Sequence, residues 1–338
     1  MEYRKFGKSG LHVTAFGLGC GGGTFVSRAD EQTAINIIHH ALELGINYID
    51  TSESAADGRS ETLVGKALKG KRPQVIVSTK FGMDRTHGVN ESTCGSRSYI
   101  MKAVEGSLKR LDTDYLDLYV MHAPYPATPI EETLRTLDDL VRVGKVRYIG
   151  CSDYTAWQLG EALWTSKTCN LESFVMSELA YNFLMRENER ELVPCCQAYG
   201  VGTVIMKALA GGFLTGKYQR NKELPEGARF TSAPRYSGPK HQNLSRYRKM
   251  LSDKNFDKLA KLEAFARERG HGVGELAIAW LLSKSWVSAV LLGVTSVEQL
   301  TQNVAGLDWK LTAEEVEQLD KITALDPWEG VSGVGVNR

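Results

Sequence analysis

Short apolar runs alternate with longer amphipathic runs along the whole chain, and this alternation predicts a repeating βα pattern. The short runs predict eight β-strands, at residues 13–18, 47–50, 75–80, 116–121, 146–152, 174–177, 202–206 and 289–292. The longer runs repeat apolar residues at spacings of three and four, as amphipathic helices do. They predict helices that include 31–44, 98–111, 130–143, 187–199, 255–269 and 274–282.

Eight strands separated by helices can close into a barrel or spread into a doubly wound sheet. A doubly wound nucleotide-binding sheet usually carries a GxGxxG turn between its first strand and its first helix. Here Gly21, Gly22 and Gly23 follow the first predicted strand, but no GxGxxG sequence leads into a helix. We therefore predict an α/β fold, a single-domain (β/α)8 TIM barrel over residues 1–338.

Two segments depart from the βα pattern. Residues 208–242 follow the seventh predicted strand and are rich in Gly, Pro, Lys and Arg. Loops of this length are usually functional, so we predict a lid or clamp there. Residues 327–338 contain three glycines and predict a flexible C-terminal tail.

The composition is that of an ordinary globular protein. Hydrophobic residues make up 42% of the 338 residues, and 41 Lys and Arg balance 40 Asp and Glu. The formal net charge of +1 is too small to attract a polyanion, so we expect neither a nucleic-acid nor a membrane partner. No apolar leader or spanning segment occurs, which favours a cytoplasmic location. The six cysteines lack CxxC spacing and predict reduced thiols, and no motif such as HExxH indicates a metal site.

Polar residues end four consecutive predicted strands. They are Asp50, Lys80, His122 and Ser152, the last followed by Asp153. Each alone has an ordinary structural explanation, as a helix cap, a solvated side chain or a satisfied core residue. The C-terminal strand ends of a TIM barrel meet at one mouth, where the active site lies. Four polar endings in a row therefore predict an active site.

The chain resembles the aldo-keto reductases over nearly its whole length. The resemblance rests on the segments YRKFGKSGLHVTAFGLG, GINYIDTSESAADGRSETLVGKAL, VSTKFG, SLKRLDTDYLDLYVMH, GKVRYIGCSDY, AYN, GGFLTGKY and GVTSVEQLTQNV. It implies an NAD(P)H-dependent enzyme that interconverts a small aldehyde or ketone and an alcohol by direct hydride transfer. It also implies that Asp50, Lys80 and His122 occupy three of the family's four catalytic positions.

The family's fourth catalytic position is a tyrosine, and this chain has Ala55 there. In the family a phenol protonates the substrate oxygen, and its pKa is lowered by a lysine cation that an aspartate holds. An alanine donates no proton, so activity should be reduced. Three explanations stay open: an introduced substitution, which the matching neighbours favour, a natural enzyme that uses His122 or water as the donor, and a natural non-catalytic relative.

The resemblance also implies the cofactor-binding positions. Around the nicotinamide it places Ser152, Asp153, Glu178 and Met206, where the family usually has Ser, Asn, Gln and Tyr. For the pyrophosphate it implies a clamping loop within 208–242, and it adds five cofactor-binding residues: Gly21, Lys207, Leu209, Gly211 and Lys217. For the adenosine 2′-phosphate it places four residues at a helix N-terminus: Thr295, Ser296, Gln299 and Asn303. Many NADPH-specific members have an arginine there, which this chain lacks. We favour NADPH, with NADH as the alternative.

A second function is open on the same resemblance. The barrel could be a non-catalytic subunit that binds a nicotinamide cofactor and regulates a partner, as potassium-channel β subunits within the family suggest. Ala55 favours that hypothesis, and the retention of Asp50, Lys80 and His122 favours the enzyme. Four aromatic residues are candidates for the substrate pocket: Tyr125, Trp157, Tyr236 and Trp328. Substrate, reaction direction and oligomeric state stay undetermined at this level.

Overall fold

The computed structural model describes residues 1–21, 25, 29–83, 93–230 and 250–325. It begins with an antiparallel hairpin, β1 (Tyr3–Lys5) and β2 (His12–Thr14). Eight parallel strands then close into a barrel, which confirms the predicted (β/α)8 TIM barrel. They are β3 (Phe16–Gly19), β4 (Tyr48–Asp50), β5 (Ile76–Phe81), β6 (Leu116–Met121), β7 (Val146–Ser152), β8 (Phe174–Ala180), β9 (Gly202–Met206) and β10 (Val287–Leu292).

Helices pack around the barrel and connect its strands. Those between β3 and β9 are α1 (Glu31–Glu43), α2 (Arg59–Ala67), α3 (Arg97–Leu111), α4 (Ile130–Arg142), α5 (Ala156–Cys169) and α6 (Leu192–Tyr199). Those after β9 and β10 are α7 (Asp253–Arg267), α8 (Val273–Ser283), α9 (Val297–Ala305) and α10 (Ala313–Ile322). Short 3₁₀ helices span Arg72–Gln74, Glu187–Glu189 and Ala210–Thr215. Within the part of the chain that the structure describes, no helix is long and apolar enough to cross a membrane.

The predicted strand at 13–18 is wrong, because the apolar run contains two strands, β2 and β3. The chain changes partners at Ala15. The N–H group of Ala15 donates to the carbonyl of Glu2 in the hairpin, whereas its carbonyl accepts from Val290 of the barrel. A change of hydrogen-bonding partner within one strand-like run does not alter the pattern of hydrophobic residues, so the pattern does not predict the hairpin.

The predicted helix at 187–199 is also wrong in extent. It consists of the 3₁₀ turn Glu187–Glu189 and the separate helix α6. Pro194 lies in the first turn of α6, where its missing N–H group costs no hydrogen bond. The helix cannot begin as early as Arg190, since the proline ring would clash with the carbonyl of that residue.

Some of the predicted segments lie partly or wholly outside the described residues. Those outside are Gly22, Gly23, residues 231–242 of the predicted clamp, the predicted tail at 327–338, and the aromatic candidates Tyr236 and Trp328.

Two apolar layers hold the barrel together. The larger lies between the strands and the helices. The smaller fills the barrel itself and consists of Phe6, Leu11, Val13, Tyr48, Leu118, Val120, Met176, Val204, Ala289 and Leu291. Phe6, from the hairpin, packs edge-on against Tyr48 with 5.4 Å between ring centroids. The hairpin therefore closes the N-terminal end of the barrel, and the opposite end of the strands forms the mouth.

Two helical glycines provide a matched test of this packing. An added Cβ on Gly65 of α2 would lie 2.6 Å from the carbonyl oxygen of Leu111, whereas one on Gly160 of α5 meets no atom within 4 Å. We expect Gly65→Ala to lower the free energy of unfolding by about 1–3 kcal/mol. We expect Gly160→Ala to raise it by about 0.5–1 kcal/mol, because alanine is the better helix former. Denaturant titration measures both changes, and equal shifts would contradict the close α2–α3 contact.

Candidate active site

The alternation of side chains along each strand determines which residues face the barrel mouth. A residue two positions beyond an interior one faces the same side of the sheet. The last interior core residues of four strands are Tyr48, Val120, Met176 and Val204. Two positions further along the chain lie Asp50, His122, Glu178 and Met206, of which His122 directly follows its strand. All four therefore point toward the mouth.

The Lys80 ammonium lies at the centre of this group. Its Nζ is 2.5 Å from Oδ2 of Asp50 and 3.0 Å from Oε2 of Glu178. The Asp50 contact is a hydrogen bond, whereas the Glu178 contact is an ion pair without good hydrogen-bond alignment. Asp50 and Lys80 are each 5% exposed, and Glu178 is 4% exposed. One buried cation thus lies between two buried carboxyl groups.

This arrangement shifts the pKa values of Lys80 and Glu178. Burial alone would lower the pKa of Lys80, but the negative charges of Asp50 and Glu178 outweigh it, and the pKa lies above its ordinary value. Burial raises the pKa of Glu178 to about 7, against the effect of the Lys80 charge and with that of Asp50. A single cation does not compensate two buried carboxylates, so Glu178 holds a proton close to neutral pH.

His122 and Ser152 follow on the next two strands. The backbone N–H of His122 donates to the carbonyl of Phe81 at 3.0 Å, which extends the β5–β6 pairing beyond β6. Ser152 is buried, and it pairs in register with Glu178 across β7 and β8. These contacts place both residues on the same rim as Lys80.

Asp153 and Met206 lie farther out on this rim. Asp153 is exposed and has a left-handed φ of 55°. Its N–H group donates to the carbonyl of Glu178 at 3.1 Å, so the turn is tied to β8. Met206 is half-buried at the end of β9 and pairs in register with Ala180.

The loop after β4 holds Ala55, which is 4% exposed. The N–H groups of Thr51 and Glu53 donate to the carbonyls of Ser78 and Lys80 at 2.9 and 3.1 Å. The loop therefore continues along β5 before it turns. Its turn has left-handed backbone at three successive residues, with φ of 50°, 54° and 81° at positions 56, 57 and 58.

The family-like residues around Ala55 have structural contacts of their own. Thr51 and Ser60 share a hydroxyl hydrogen bond of 2.7 Å. The buried Glu61 carboxylate accepts from the hydroxyl of Thr79 and from Nε of Arg110, both at 2.6 Å. These bonds hold the loop without any contribution from the side chain at position 55.

A buried carboxylate that sequence analysis missed, Glu53, lies beside this loop. Its Oε1 accepts from the N–H of Gly82 at 2.6 Å and from the hydroxyl of Tyr99 at 2.5 Å. The Tyr125 hydroxyl donates to the carbonyl of Gly82 at 2.5 Å, so this pocket candidate is tied to the backbone after β5. Trp157, another candidate, is 68% exposed on α5.

The loop after β9 turns through several left-handed residues, and the N–H groups of Ala210 and Gly212 donate to the carbonyls of Lys207 and Leu209, both at 2.8 Å. Lys207, Ala210, Gly211 and Gly212 all have left-handed φ, of 59°, 49°, 67° and 89°. Mixtures of right- and left-handed residues are typical of loops whose N–H groups bind anions. The Tyr218 hydroxyl donates to the carbonyl of Gly211 at 3.2 Å and holds the loop in place. Leu209 is half-buried at the start of the 3₁₀ turn, and the side chain of Lys217 passes over Gly212.

The N-terminus of α9 lies on the neighbouring strand end, because β9 and β10 pair in parallel. Ser296 Oγ accepts from the N–H of Gln299 at 3.3 Å. The Gln299 side-chain oxygen accepts in return from the N–H and the hydroxyl of Thr295, both at 3.0 Å. Asn303 is half-buried farther along α9. On the other side of β10, Gly21 follows β3, and an added Cβ there would meet no atom within 4 Å.

The buried thiol of Cys20, whose backbone N–H donates to the carbonyl of Asp50 at 2.7 Å, is suited to packing rather than to nucleophilic chemistry. Burial and the Asp50 charge raise the pKa of Cys20 well above its ordinary value. Among the described residues, no three His, Cys, Asp or Glu side chains are grouped so as to hold a metal ion.

Comparison with known proteins identifies the family. The model of the aldo/keto reductase family matches residues 17–324. The chain belongs to the aldo/keto reductase family. It is 33% identical to the aldo-keto reductase YhdN of Bacillus subtilis, over 97% of this chain and 96% of that protein.

Other relatives of this aldo/keto reductase have a different name. A putative voltage-gated potassium channel subunit beta of Schizosaccharomyces pombe is 34% identical, over 97% of this chain and 95% of that protein. A probable voltage-gated potassium channel subunit beta of Oryza sativa is 33% identical, over 97% of this chain and 98% of that protein. The chain spans nearly the full length of both.

Sequence analysis of this aldo/keto reductase also missed the contact between Glu178 and Lys80. It assigned Glu178 to a cofactor amide and ended the strand at residue 177, whereas β8 continues to Ala180. A signal was present, because Glu178 is an acidic residue that follows an apolar run, as Asp50 does. The structure joins Asp50, Lys80 and Glu178 directly, and it places His122 and Ser152 on the same rim.

The raised pKa of Glu178 predicts a pH-dependent contribution to stability. The pKa of Glu178 is about 7 in the folded protein, whereas its ordinary value, which applies to the unfolded chain, is 4.5. The stability that Glu178 contributes through this proton is therefore fully present below pH 4.5, and it is lost as the pH rises through the folded-state pKa of about 7. We expect the wild-type protein to lose about 3 kcal/mol of unfolding free energy over this window. Glu178→Gln mimics the protonated form and should lack this loss. Unfolding measured across the window compares the two, and parallel pH dependences would contradict the shift.

Proposed function

We propose that this aldo/keto reductase is an NADP-dependent oxidoreductase that interconverts an aldehyde or ketone and an alcohol by direct hydride transfer. The observation that carries the proposal is the buried Asp50–Lys80 pair at the barrel mouth, with His122 on the next strand. A buried, permanently charged ammonium beside a polar rim stabilises negative charge on a substrate oxygen. This is the charge that carbonyl reduction creates.

The residues present fit a dinucleotide cofactor. The left-handed backbone at Lys207, Gly211 and Gly212 and the N-terminus of α9 lie after neighbouring strands. Two such segments side by side favour an extended group with several phosphates. When bound, the cofactor supplies the hydride. We propose the remaining contacts from the family's pattern, with Ser152, Asp153, Glu178 and Met206 at the nicotinamide, and Thr295, Ser296, Gln299 and Asn303 at the adenosine. Gly21, Leu209 and Lys217 complete the proposed cofactor site.

The chain's own residues would bind and polarise the substrate. The Lys80 ammonium, held by Asp50, would attract the carbonyl oxygen and stabilise the developing charge. His122 would orient that oxygen by hydrogen bonding. Ala55 stands where the family has its phenol, so this route to protonation is missing and the rate should be low.

Restoring the phenol tests the proposal. We expect Ala55→Tyr to raise turnover of at least one carbonyl in a substrate panel by about 10²- to 10⁴-fold, because it adds a proton donor beside Lys80. Ala55→Phe is the matched control, since it adds the ring without the hydroxyl and should bring no such gain. Steady-state turnover with NADPH measures the effect. No gain on any substrate, although NADPH binds in a fluorescence titration, would contradict the missing-donor explanation.

A charge at the α9 N-terminus tests the cofactor assignment. Gln299→Arg places a guanidinium where we propose the 2′-phosphate, and bidentate pairing should tighten NADPH binding about tenfold. NADH lacks that phosphate and should gain little. Gln299→Leu is the control, because it removes the same contact to Thr295 without adding charge. Dissociation constants for both cofactors measure the preference, and an equal effect on NADH would contradict this placement.

A nicotinamide-binding regulatory subunit is the second candidate. Two relatives that match nearly the whole chain are named as potassium channel β subunits, and Ala55 removes the expected donor. Carbonyl turnover by the purified protein, with no channel partner recovered from its native cell, would decide for the enzyme. A recovered channel partner and no turnover, even with Ala55→Tyr, would decide for the subunit.

A further inference from the structure

We propose that Glu178 is the proton reservoir of this site and delivers its proton to the substrate oxygen through the Lys80 ammonium. This inference rests on the proposed function, since it supplies the donor that Ala55 lacks. It assigns Glu178 a role in positioning and supplying a proton, in addition to any contact with the cofactor.

The geometry of the ammonium supports a relay. An ammonium group has three N–H donors. Among the described residues, Asp50 and Glu178 are its two acidic partners, at 2.5 and 3.0 Å. These two contacts account for two of the three N–H donors, so the third can donate to a substrate oxygen. Lys80 can therefore contact the oxygen and Glu178 at the same time.

The proton transfers balance in two successive steps, because Nζ of an ammonium has no lone pair that could accept a proton until it has given one up. A bound reduced nicotinamide would supply hydride to the carbonyl carbon and would itself be oxidised, while the C=O π electrons would move to oxygen. One Lys80 N–H bond breaks as the alcohol O–H bond forms. The Glu178 O–H bond breaks as the Lys80 N–H bond is restored. Lys80 ends as an ammonium and Glu178 as a carboxylate, which solvent then reprotonates.

The charges around Lys80 explain why the second transfer is needed. If Lys80 gave up a proton without resupply, a neutral amine would be left beside the buried Asp50 carboxylate. This state is unfavourable because the pKa of Lys80 is raised. Resupply from Glu178 restores the cation beside Asp50. Asp50 accepts the hydrogen bond from Nζ and serves as the permanent counter-ion.

Glu178 is the carboxyl group whose environment favours a bound proton. Burial raises the pKa of Glu178 to about 7, near the value at which a general acid works best at neutral pH. The element on its other side, β9, offers the apolar Val204 in register. The titratable groups that face Glu178 are Lys80 from β5, Asp50 and Tyr48 from β4, and Asp153 after β7.

Two isosteric variants test the relay. Glu178→Gln removes the proton and keeps the shape, and Asp50→Asn removes the other carboxylate from the same ammonium. In the wild-type protein, single-turnover hydride transfer should fall about tenfold per pH unit above the pKa of Glu178. In Glu178→Gln this fall of the rate with pH, the alkaline limb of the profile, should be absent. At pH values below the pKa of Glu178, the variant should be at least about tenfold slower than the wild type. Asp50→Asn should keep the limb and move it to lower pH, because a negative charge that raises the pKa of Glu178 is gone.

Two further readouts separate the relay from a merely structural role. Infrared difference spectra of the cofactor-free protein, wild type minus Glu178→Gln, should show a carboxylic-acid C=O band that disappears as the pH rises through neutrality. NADPH affinity should be kept or improved in Glu178→Gln, since the family usually has glutamine there. Ala55→Tyr should rescue the rate of Glu178→Gln, because the phenol brings a proton of its own.

The outcomes distinguish failure of the relay from failure of the proposed function. An unchanged pH limb in Glu178→Gln, or no titrating carboxylic-acid band, would overturn the relay alone. Cofactor binding without turnover of any carbonyl, in the wild type and in Ala55→Tyr, would overturn the reductase and the relay with it. The relay would be established by three results together: the alkaline limb is lost in Glu178→Gln, the titrating carboxylic-acid band is observed, and Ala55→Tyr rescues the rate.

Discussion

Closure of the eight-stranded barrel is the constraint on which the site depends. The interior must be filled, and it is filled by apolar side chains at alternate positions. The same alternation forces the residues two positions beyond them into the mouth. Asp50, His122, Glu178 and Met206 face one space because Tyr48, Val120, Met176 and Val204 fill the layer beneath.

The mouth is therefore a place where polar groups meet at low solvent exposure, and charge has to be balanced locally. Lys80 is buried and is stable as a cation because Asp50 lies 2.5 Å away. A second carboxyl group, Glu178, exceeds what one cation can compensate. The surplus is resolved by protonation, which makes this corner of the site sensitive to pH near neutrality. Structural closure of the barrel and acid–base chemistry are in this way linked through one ammonium group.

The sequence predicts the fold where each apolar run keeps one set of neighbours. Strands β6, β7 and β9 have the predicted bounds for this reason. The prediction fails at Ala15, where the chain exchanges a hairpin partner for a barrel partner, and at Pro194, which delays the start of a helix. Strand-end residues could be assigned to one mouth, since parallel strands share an edge. The contact between Lys80 and Glu178 could not, because β5 and β8 are not neighbours and the pair meets across the barrel interior.

The structure also changes what the residues around Ala55 indicate about the origin of that alanine. Their match to the family favours an introduced substitution only if they serve catalysis. Thr51, Ser60 and Glu61 instead hold the loop through hydrogen bonds that do not involve position 55. Their presence is thus explained by folding, whatever residue occupies that position. The retained Asp50–Lys80 pair is different, because a buried ion pair is costly and is weak support for stability. Together with Glu178, it favours a site that carries out proton chemistry without the phenol.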